Sequence, residues 1–425
     1  MIRRADALLA RRPGVVMAAV VVLAFVARLT ARLAGGEADY RTGAYEFYRQ
    51  IAQALGAGLG FCVEPGVHCA MRMPLYPAIL APFVAAGAEF PWLVVVQAAC
   101  GAALVGVAWV LAHDLFGARA GLAAAVLTAV SPYAVVHDTA MQETVFVNLL
   151  IALSVPALLR ARRGSDSDGG NTWGWLASGT LLALAVLATA RVALLLPAAG
   201  LWSVFSARAS WRVALRQSLL LALPAALILG AWVVRNNAVV GAPVLTTESG
   251  ESFWAANNEQ TFDFLPDRSI DLAATQSYES LSADVSARLE ALDGREVERD
   301  RVLSALGWAY VVSHPGLVAR RAVLKMWFAA RGTLSPARGP VQSLGYAVFF
   351  VPVHLMAGLG LIRSWRRGWE YRLVPSLLGG FFVTTAIYWA HTSHKSVIDV
   401  FLFVYAAGAL SWVDAWRRPA HTPVG

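Results

Sequence analysis

The sequence predicts an all-α protein that crosses a membrane about ten times. Of the 425 residues, 58% are hydrophobic and only 15% are charged, and the mean hydropathy is +0.56. A soluble chain has about 25% charged residues. Apolar runs at 15–27, 92–112 and 342–362 approach or reach the length that a hydrocarbon layer of about 30 Å requires. This composition excludes a soluble enzyme, a nucleic-acid-binding module and a disordered chain.

The positions of the arginines predict the orientation of the spans. The net charge is +8, and such an excess lies mostly in the cytoplasmic loops of membrane proteins, so nucleic acid is not an expected partner. Arg3, Arg4, Arg11 and Arg12 place the N-terminus in the cytoplasm, and ten spans then bring every later basic cluster inside. The predicted spans cover about 15–33, 92–113, 119–136, 144–159, 173–189, 192–205, 217–234, 341–362, 374–391 and 396–413.

The stretch 74–86 is apolar but is predicted not to cross. It has about 13 residues, three of them proline, which is short for a span and typical of an interfacial or re-entrant segment. If it crossed, the basic loops that follow would lie outside. A large extracytoplasmic loop at 35–91 is therefore expected.

Three regions are predicted along the chain: a transmembrane module at 1–240, an extracytoplasmic region at 241–338 and C-terminal transmembrane helices at 339–425. Thirteen of the 27 carboxylates lie between 248 and 300, so that part is expected to be solvated. The stretch 314–327 is predicted to form an amphipathic helix on the membrane surface.

Polar groups gather on the predicted outer side. Carboxylates beside several cations suit a ligand that combines a phosphate with hydroxyls, since a carboxylate can act as a base and cations hold phosphate. Simpler roles stay open: solvation for Asp39, helix capping for Glu143, and snorkelling to the headgroups for Arg28 and Arg32. The candidates are Asp39, Glu46 and Glu143 as catalytic residues, Arg72, Arg191, Arg235, His394 and Lys395 for phosphate, and Tyr76, Asn236 and Asn237 for substrate.

Cys62 and Cys69 share the first outer loop, with six residues between them. An extracytoplasmic loop is compatible with a disulfide, and we expect these two to form one.

Four motifs carry a resemblance to a known family. They are Tyr48-Arg-Gln-Ile-Ala-Gln-Ala-Leu-Gly-Ala-Gly-Leu-Gly-Phe61, Arg72-Met-Pro-Leu-Tyr-Pro77, Glu143-Thr-Val-Phe146 and Trp232-Val-Val-Arg-Asn-Asn237. In order and spacing they resemble the GT-C glycosyltransferases, in particular bacterial relatives of the dolichyl-phosphate-mannose–protein mannosyltransferases and of the lipid A aminoarabinose transferase.

The resemblance implies a plasma-membrane glycosyltransferase whose active site faces the extracytoplasmic side. The donor would be a sugar on a polyprenyl phosphate, transferred with inversion to a glycan, lipid or protein acceptor. An acidic residue at the end of the first helix would act as base or metal ligand. Ala44 stands where many relatives carry that residue, so Asp39 is the first candidate and Glu46 the second. A divalent metal held by Asp39, Asp138 and Glu143 is an open alternative.

Two other functions stay open for such a membrane protein. A lipid or polyprenyl-phosphate transporter predicts inverted repeats and ionisable groups at the bilayer midplane, whereas the ionisable groups here gather at the outer interface. A non-catalytic subunit of an envelope-assembly complex would tolerate the loss of the carboxylates.

Overall fold

The computed structural model describes residues 12–42, 45–64, 66–164, 171–206, 211–389 and 391–416. These parts are helical and contain no strand beyond an isolated bridge between Glu64 and Val67. The prediction of an all-α membrane protein is confirmed. Arg3, Arg4 and Arg11 lie outside the described residues, so the structure does not test their placement.

Nineteen α-helices make up the described chain. They are α1 (Pro13–Thr42), α2 (Glu46–Gly56), α3 (Leu75–Ala85), α4 (Val94–Phe116), α5 (Ala118–Val130), α6 (Pro132–His137), α7 (Thr144–Arg163), α8 (Thr172–Ala188), α9 (Leu195–Ser206), α10 (Trp211–Val240), α11 (Ser249–Ala256), α12 (Thr261–Phe264), α13 (Ile270–Glu279), α14 (Ala283–Glu290), α15 (Glu296–Ser313), α16 (Pro315–Ala330), α17 (Pro340–Ser364), α18 (Leu373–Ile387) and α19 (Thr392–Trp416). Each of the ten predicted spans overlaps a helix of this set.

The third predicted span ends earlier than expected. We predicted a helix to residue 136, but α5 stops at Val130 and a new short helix, α6, follows. Ser131 has an extended ψ of 114° because it precedes Pro132, whose ring disfavours the helical conformation of the residue before it. The break directs α6 and the turn after it towards the outer polar residues.

Six helices of the described chain are long and apolar enough to cross a membrane, and the bent pair α15–α16 would make seven if it were one span. Helices α5, α8 and α9 are apolar but shorter, and ten crossings remain a prediction. Helix α3 has 11 residues, about 16 Å at 1.5 Å per residue, which agrees with the expectation that 74–86 does not cross.

Helix α19 forms the centre of the bundle. It packs against α4, α5, α7 and α17, and nearly every side chain from Val397 to Ala409 is buried. A Cβ at Gly360 of α17 would overlap the carbonyl of Tyr405, so a glycine is needed where these two helices meet. This central helix carries His394 and Lys395 at its first turn, in the same layer as the outer polar residues.

The first outer loop is held by contacts from two other regions. Cys62 and Cys69 form a disulfide. The carboxylate of Glu296 accepts hydrogen bonds from the backbone amides of Cys69 (2.7 Å) and Ala70 (3.1 Å). Arg235 at the end of α10 donates to the carbonyls of Cys69 (2.6 Å) and Phe61 (2.9 Å). The loop is therefore fixed on both sides of its disulfide, three residues before Arg72.

Candidate active site

A buried carboxylate, Glu143, lies where three parts of the chain meet. It stands at the start of α7 and accepts a hydrogen bond from the Tyr48 hydroxyl of α2 at 2.9 Å. Its other oxygen accepts a hydrogen bond from Arg191, also at 2.9 Å. Arg191 lies in the short 3-10 turn Ala190–Val192, because the chain must reverse there between α8 and α9. Two of the sequence-predicted residues are thus brought together.

A second ion pair lies beside the first. Arg72 pairs with Glu248, and its guanidinium stacks over the ring of Phe47 at 3.8 Å from the centroid. Tyr45 and Tyr48 both lie within electrostatic range of Arg72, Arg191 and Glu143. The Glu143–Arg191 and Arg72–Glu248 pairs therefore belong to one region. We call Glu143, Arg191, Arg72, Glu248, Tyr45 and Tyr48 the outer cluster.

Glu248 is the member that sequence reasoning missed. Two contacts between its segment and loop one place it: the Thr247 amide donates to Ala70 O at 3.0 Å, and the Thr246 hydroxyl donates to Met71 O at 2.7 Å. Burial raises the pKa of Glu248 to about 7, against the opposing effect of Arg72. In the sequence it is one of many carboxylates in an acidic stretch, and no motif distinguishes it.

Asp39 lies at the end of α1 and pairs with Arg32 at 2.6 Å. Its side chain is 63% exposed, so the carboxylate is open to solvent. Arg32 also donates to Val136 O at 2.8 Å and to the Thr139 hydroxyl at 3.2 Å. It therefore ties the end of α1 to the turn that leads into Glu143.

The expectation that Arg28 and Arg32 snorkel to the headgroups is wrong. Both side chains are buried, and Arg28 pairs with the buried Asp138 at 2.7 Å. Arg28 also donates to the carbonyls of Thr128 (3.1 Å) and Ala129 (3.3 Å) at the end of α5. The partners come from the last turn of α5 and from the turn after α6, and hydropathy alone does not predict that these two places meet Arg28.

Glu46, the second candidate base, is placed on the surface of α2. It pairs with Arg49 at 3.7 Å, and Arg49 in turn binds the buried Glu89 at 2.6 Å. These contacts link α2 to the segment before α4. No hydrogen bond or ion pair joins Glu46 to the outer cluster among the described residues.

The two cationic candidates on α19 have their own partners. Lys395 is buried and pairs with Asp399, one turn further along, at 2.5 Å, and its ammonium lies over the ring of Phe350. His394 Nδ1 lies 3.3 Å from the carbonyl oxygen of Trp389, and its ring stacks on His391. Arg191 is close enough to both histidines to act on them electrostatically. The histidines thus border the outer cluster, while the charge of Lys395 is compensated.

The remaining candidates hold the loops in place. The guanidinium of Arg235 is directed to loop-one carbonyls, as described above. The Asn236 amide donates to Val244 O at 2.9 Å, and Asn237 is exposed. Tyr76 is fully buried and packs edge-on against Tyr48, with ring centroids 4.9 Å apart. Tyr76 therefore supports the hydroxyl that binds Glu143.

The structure gives the predicted metal ligands no common centre. Within the described residues, no three histidine, cysteine, aspartate or glutamate side chains converge on a possible metal position. Asp39, Asp138 and Glu143 each bind a different arginine. This donor set does not fit a shared divalent cation.

Comparisons with known proteins show what this chain is similar to in sequence and in fold. Residues 72–234 match the sequence family described as dolichyl-phosphate-mannose-protein mannosyltransferase. No curated protein matches the sequence. The fold is similar to that of the archaeal oligosaccharyltransferase AglB from Archaeoglobus fulgidus in complex with an inhibitory peptide and a dolichol-phosphate. That match has a TM-score of 0.54 and 14% identity, over 94% of this chain and 50% of that one.

Two further structures are similar. The oligosaccharyltransferase of Archaeoglobus fulgidus in complex with Zn and sulfate matches with a TM-score of 0.52 and 14% identity, over 93% of this chain and 49% of that one. ArnT from Cupriavidus metallidurans, bound to undecaprenyl phosphate, matches with a TM-score of 0.42 and 14% identity, over 96% and 81% of the two chains. This chain spans about half the length of the oligosaccharyltransferase.

At such low identity the structural likeness establishes the fold. The segment that matches the sequence family spans the positions of Arg72, Glu143 and Arg191. The predicted resemblance to the GT-C glycosyltransferases is therefore confirmed, both in the fold of the described chain and in the match of residues 72–234 to the mannosyltransferase family.

Proposed function

We propose that this protein is a membrane glycosyltransferase that moves a sugar from a polyprenyl-phosphate donor to an acceptor on the extracytoplasmic side of the plasma membrane. The observation that carries the proposal is the outer cluster, in which the Arg191–Glu143 and Arg72–Glu248 pairs both lie close to Tyr45 and Tyr48 at the predicted outer ends of the helices. Two guanidinium groups at one place suit a phosphate, which they bind through several charge-assisted hydrogen bonds.

The arginines would hold the donor phosphate as it becomes the leaving group. Negative charge grows on its oxygen as the bond to the sugar breaks, and cations fixed in advance stabilise that charge. Glu143 and Glu248 keep the two side chains in place without the donor. Both arginines are about one quarter exposed, so a phosphate can reach them from the outer side.

Asp39 is the base in this proposal. The acceptor hydroxyl gives its proton to the Asp39 carboxylate while its oxygen forms the new bond to the anomeric carbon. The bond from that carbon to the phosphate oxygen breaks, and the electron pair leaves with the polyprenyl phosphate. Arg32 positions the carboxylate through a hydrogen bond. The exposure of the Asp39 side chain leaves room for an acceptor. No step is routed through a metal, because the carboxylates do not fit a shared one.

The test compares Asp39→Asn with Glu37→Gln. Glu37 is an exposed carboxylate on the same helix that pairs with Arg41, which makes it a matched control. Mass spectrometry of envelope glycans, lipids and glycoproteins, with and without the gene, identifies the product. Initial rates of its formation then compare the variants.

We expect Asp39→Asn to lower the rate by about 10²–10⁴-fold, the usual effect of removing a general base. Glu37→Gln should keep the rate. If Asp39→Asn has normal turnover and Glu46→Gln does not, Glu46 is the base. An envelope that does not change when the gene is removed, with no transfer by the purified protein, would contradict the enzymatic function itself.

A further inference from the structure

Helices α15 and α16 form an elbow that the proposed chemistry does not use. The two helices meet at His314–Pro315 and are bent by 107°. Together they are apolar enough to pass as a membrane span, although they belong to the predicted outer region. The bend follows from Pro315, which can begin a helix but cannot continue one.

Each arm of the elbow exposes a similar stripe of side chains. On α15, Arg301, Trp308 and Val312 are seven and four residues apart and share one face, with Trp308 57% and Val312 75% exposed.

On α16, Arg320, Val323 and Trp327 are spaced by three and four residues, with Val323 60% and Trp327 61% exposed. Large apolar side chains that are exposed along both arms of a folded helix pair mark an interaction site.

The opposite faces of both arms are firmly attached. Leu303 of α15 packs in a buried cluster with Trp254 and Leu289. On α16, Arg321 donates to Asn258 O at 2.8 Å and Lys325 donates to the Asn257 side chain at 3.1 Å. The exposed stripes are therefore a stable surface of the fold.

The neighbouring structure and the charges indicate what covers this surface. Helix α16 packs along α18, whose Val383 and Ile387 are also exposed, and α18 is one of the predicted spans. The apolar face of α16 thus continues a surface that faces lipid. Each stripe combines a tryptophan with an arginine, a composition typical of helices that lie in the headgroup layer of a bilayer.

We propose that the α15–α16 elbow is seated in the outer leaflet of the membrane. Trp308 and Trp327 lie at the level of the headgroups, Val312 and Val323 reach the upper acyl chains, and Arg301 and Arg320 contact lipid phosphates. This contact attaches the outer region that carries Glu248 to the bilayer. It does not depend on the proposed glycosyl transfer.

The test measures the depth of spin labels in the full-length protein, reconstituted in vesicles of phosphatidylcholine with phosphatidylglycerol. Cysteines for labelling replace Val312 and Val323, with Cys100→Ser as background. Leu272→Cys is the matched control, because Leu272 is an exposed apolar residue on α13 of the same outer region. The accessibility of each label to oxygen, which is enriched in lipid, is compared with its accessibility to a water-soluble nickel complex.

We expect oxygen to dominate at positions 312 and 323 and the nickel complex to dominate at 272. A label at 312 or 323 that is as accessible to nickel as the control would overturn the proposal. Low accessibility to both reagents, with magnetic coupling between labels on two copies, would assign the elbow to a protein interface and reject the lipid contact. Circular dichroism of the labelled variants shows whether they remain folded.

Discussion

Two kinds of charge pair occur in this protein, and they differ in burial. Arg28–Asp138 and Lys395–Asp399 are sealed inside the helix bundle, with both partners of each pair almost free of solvent. In the outer cluster, Arg191 and Arg72 pair with carboxylates but keep about a quarter of their side chains exposed. Both charges of a sealed pair are removed from water, so each needs its partner, whereas an arginine that is about one quarter exposed can exchange its carboxylate for a ligand. Burial, more than the presence of a charge pair, separates structural residues from candidate site residues here.

The largest expected effect is on stability, at a sealed pair. Lys395→Met alone should destabilise the protein by about 3–5 kcal/mol, because it leaves the Asp399 carboxylate buried and unpaired. The double variant Lys395→Met with Asp399→Leu should recover much of that loss and retain transfer activity. Thermal unfolding in detergent and product formation measure the two quantities.

If the double variant is stable and inactive, Lys395 acts on the substrate. Burial would then fail to separate structural from functional residues at this pair. Recovery of both stability and activity would remove Lys395 from the list of phosphate-binding residues.

Substitutions in the outer cluster should affect activity more than stability. Arg191→Gln should lower the unfolding temperature less than Lys395→Met does, because the Tyr48 hydroxyl still donates to Glu143. It should lower transfer by about 10²–10³-fold, the cost of losing one group that stabilises developing negative charge. Adding Glu143→Gln should not restore activity, because what is missing is the contact with the donor.

The kinetic check is a titration of the rate with the polyprenyl-phosphate donor. The proposal requires the donor's apparent affinity to fall as well as the maximal rate. If Arg191→Gln loses activity only because the protein unfolds, Arg191 has a structural role like that of the sealed pairs.

The smallest expected effect concerns the pH dependence of stability. Burial raises the pKa of Glu248 to about 7 from an ordinary 4.5, so the folded protein binds this proton more tightly than the unfolded chain does. The stabilisation from this group is full below about pH 4.5 and is lost as pH rises to about 7. Glu248→Gln removes this dependence.

We therefore expect the unfolding temperature of the unchanged protein to fall, relative to that of Glu248→Gln, between pH 5 and pH 8. Parallel curves for the two proteins over that range would mean that Arg72 and solvent already keep the carboxylate at its ordinary pKa.

Hydropathy and charge predicted the fold well because every segment that lies in lipid must be apolar and helical by itself, whatever its neighbours are. Each of the ten predicted segments falls on a helix, and the pair Glu143–Arg191 joins two residues named from sequence. Contacts between distant segments could not be predicted in this way. Arg28 and Arg32 were expected at the headgroups, yet Arg28 pairs with Asp138 and Arg32 donates to Thr139, both more than 100 residues away in the turn after α6. Glu248 reaches the site only because its segment forms hydrogen bonds with loop one. Amino-acid composition does not predict that contact.

The contact between Glu296 and the amides of Cys69 and Ala70 has a consequence for biosynthesis. These groups are 227 and 226 residues apart in the chain. At a synthesis rate of roughly 5–20 residues per second, the first outer loop is translated about 10–45 s before Glu296 exists. During that interval the amides of Cys69 and Ala70 are open to water and to other proteins at the outer surface. If translation stops before Glu296, the inserted protein lacks the carboxylate that holds its first outer loop. Such a product should be degraded early by membrane proteases.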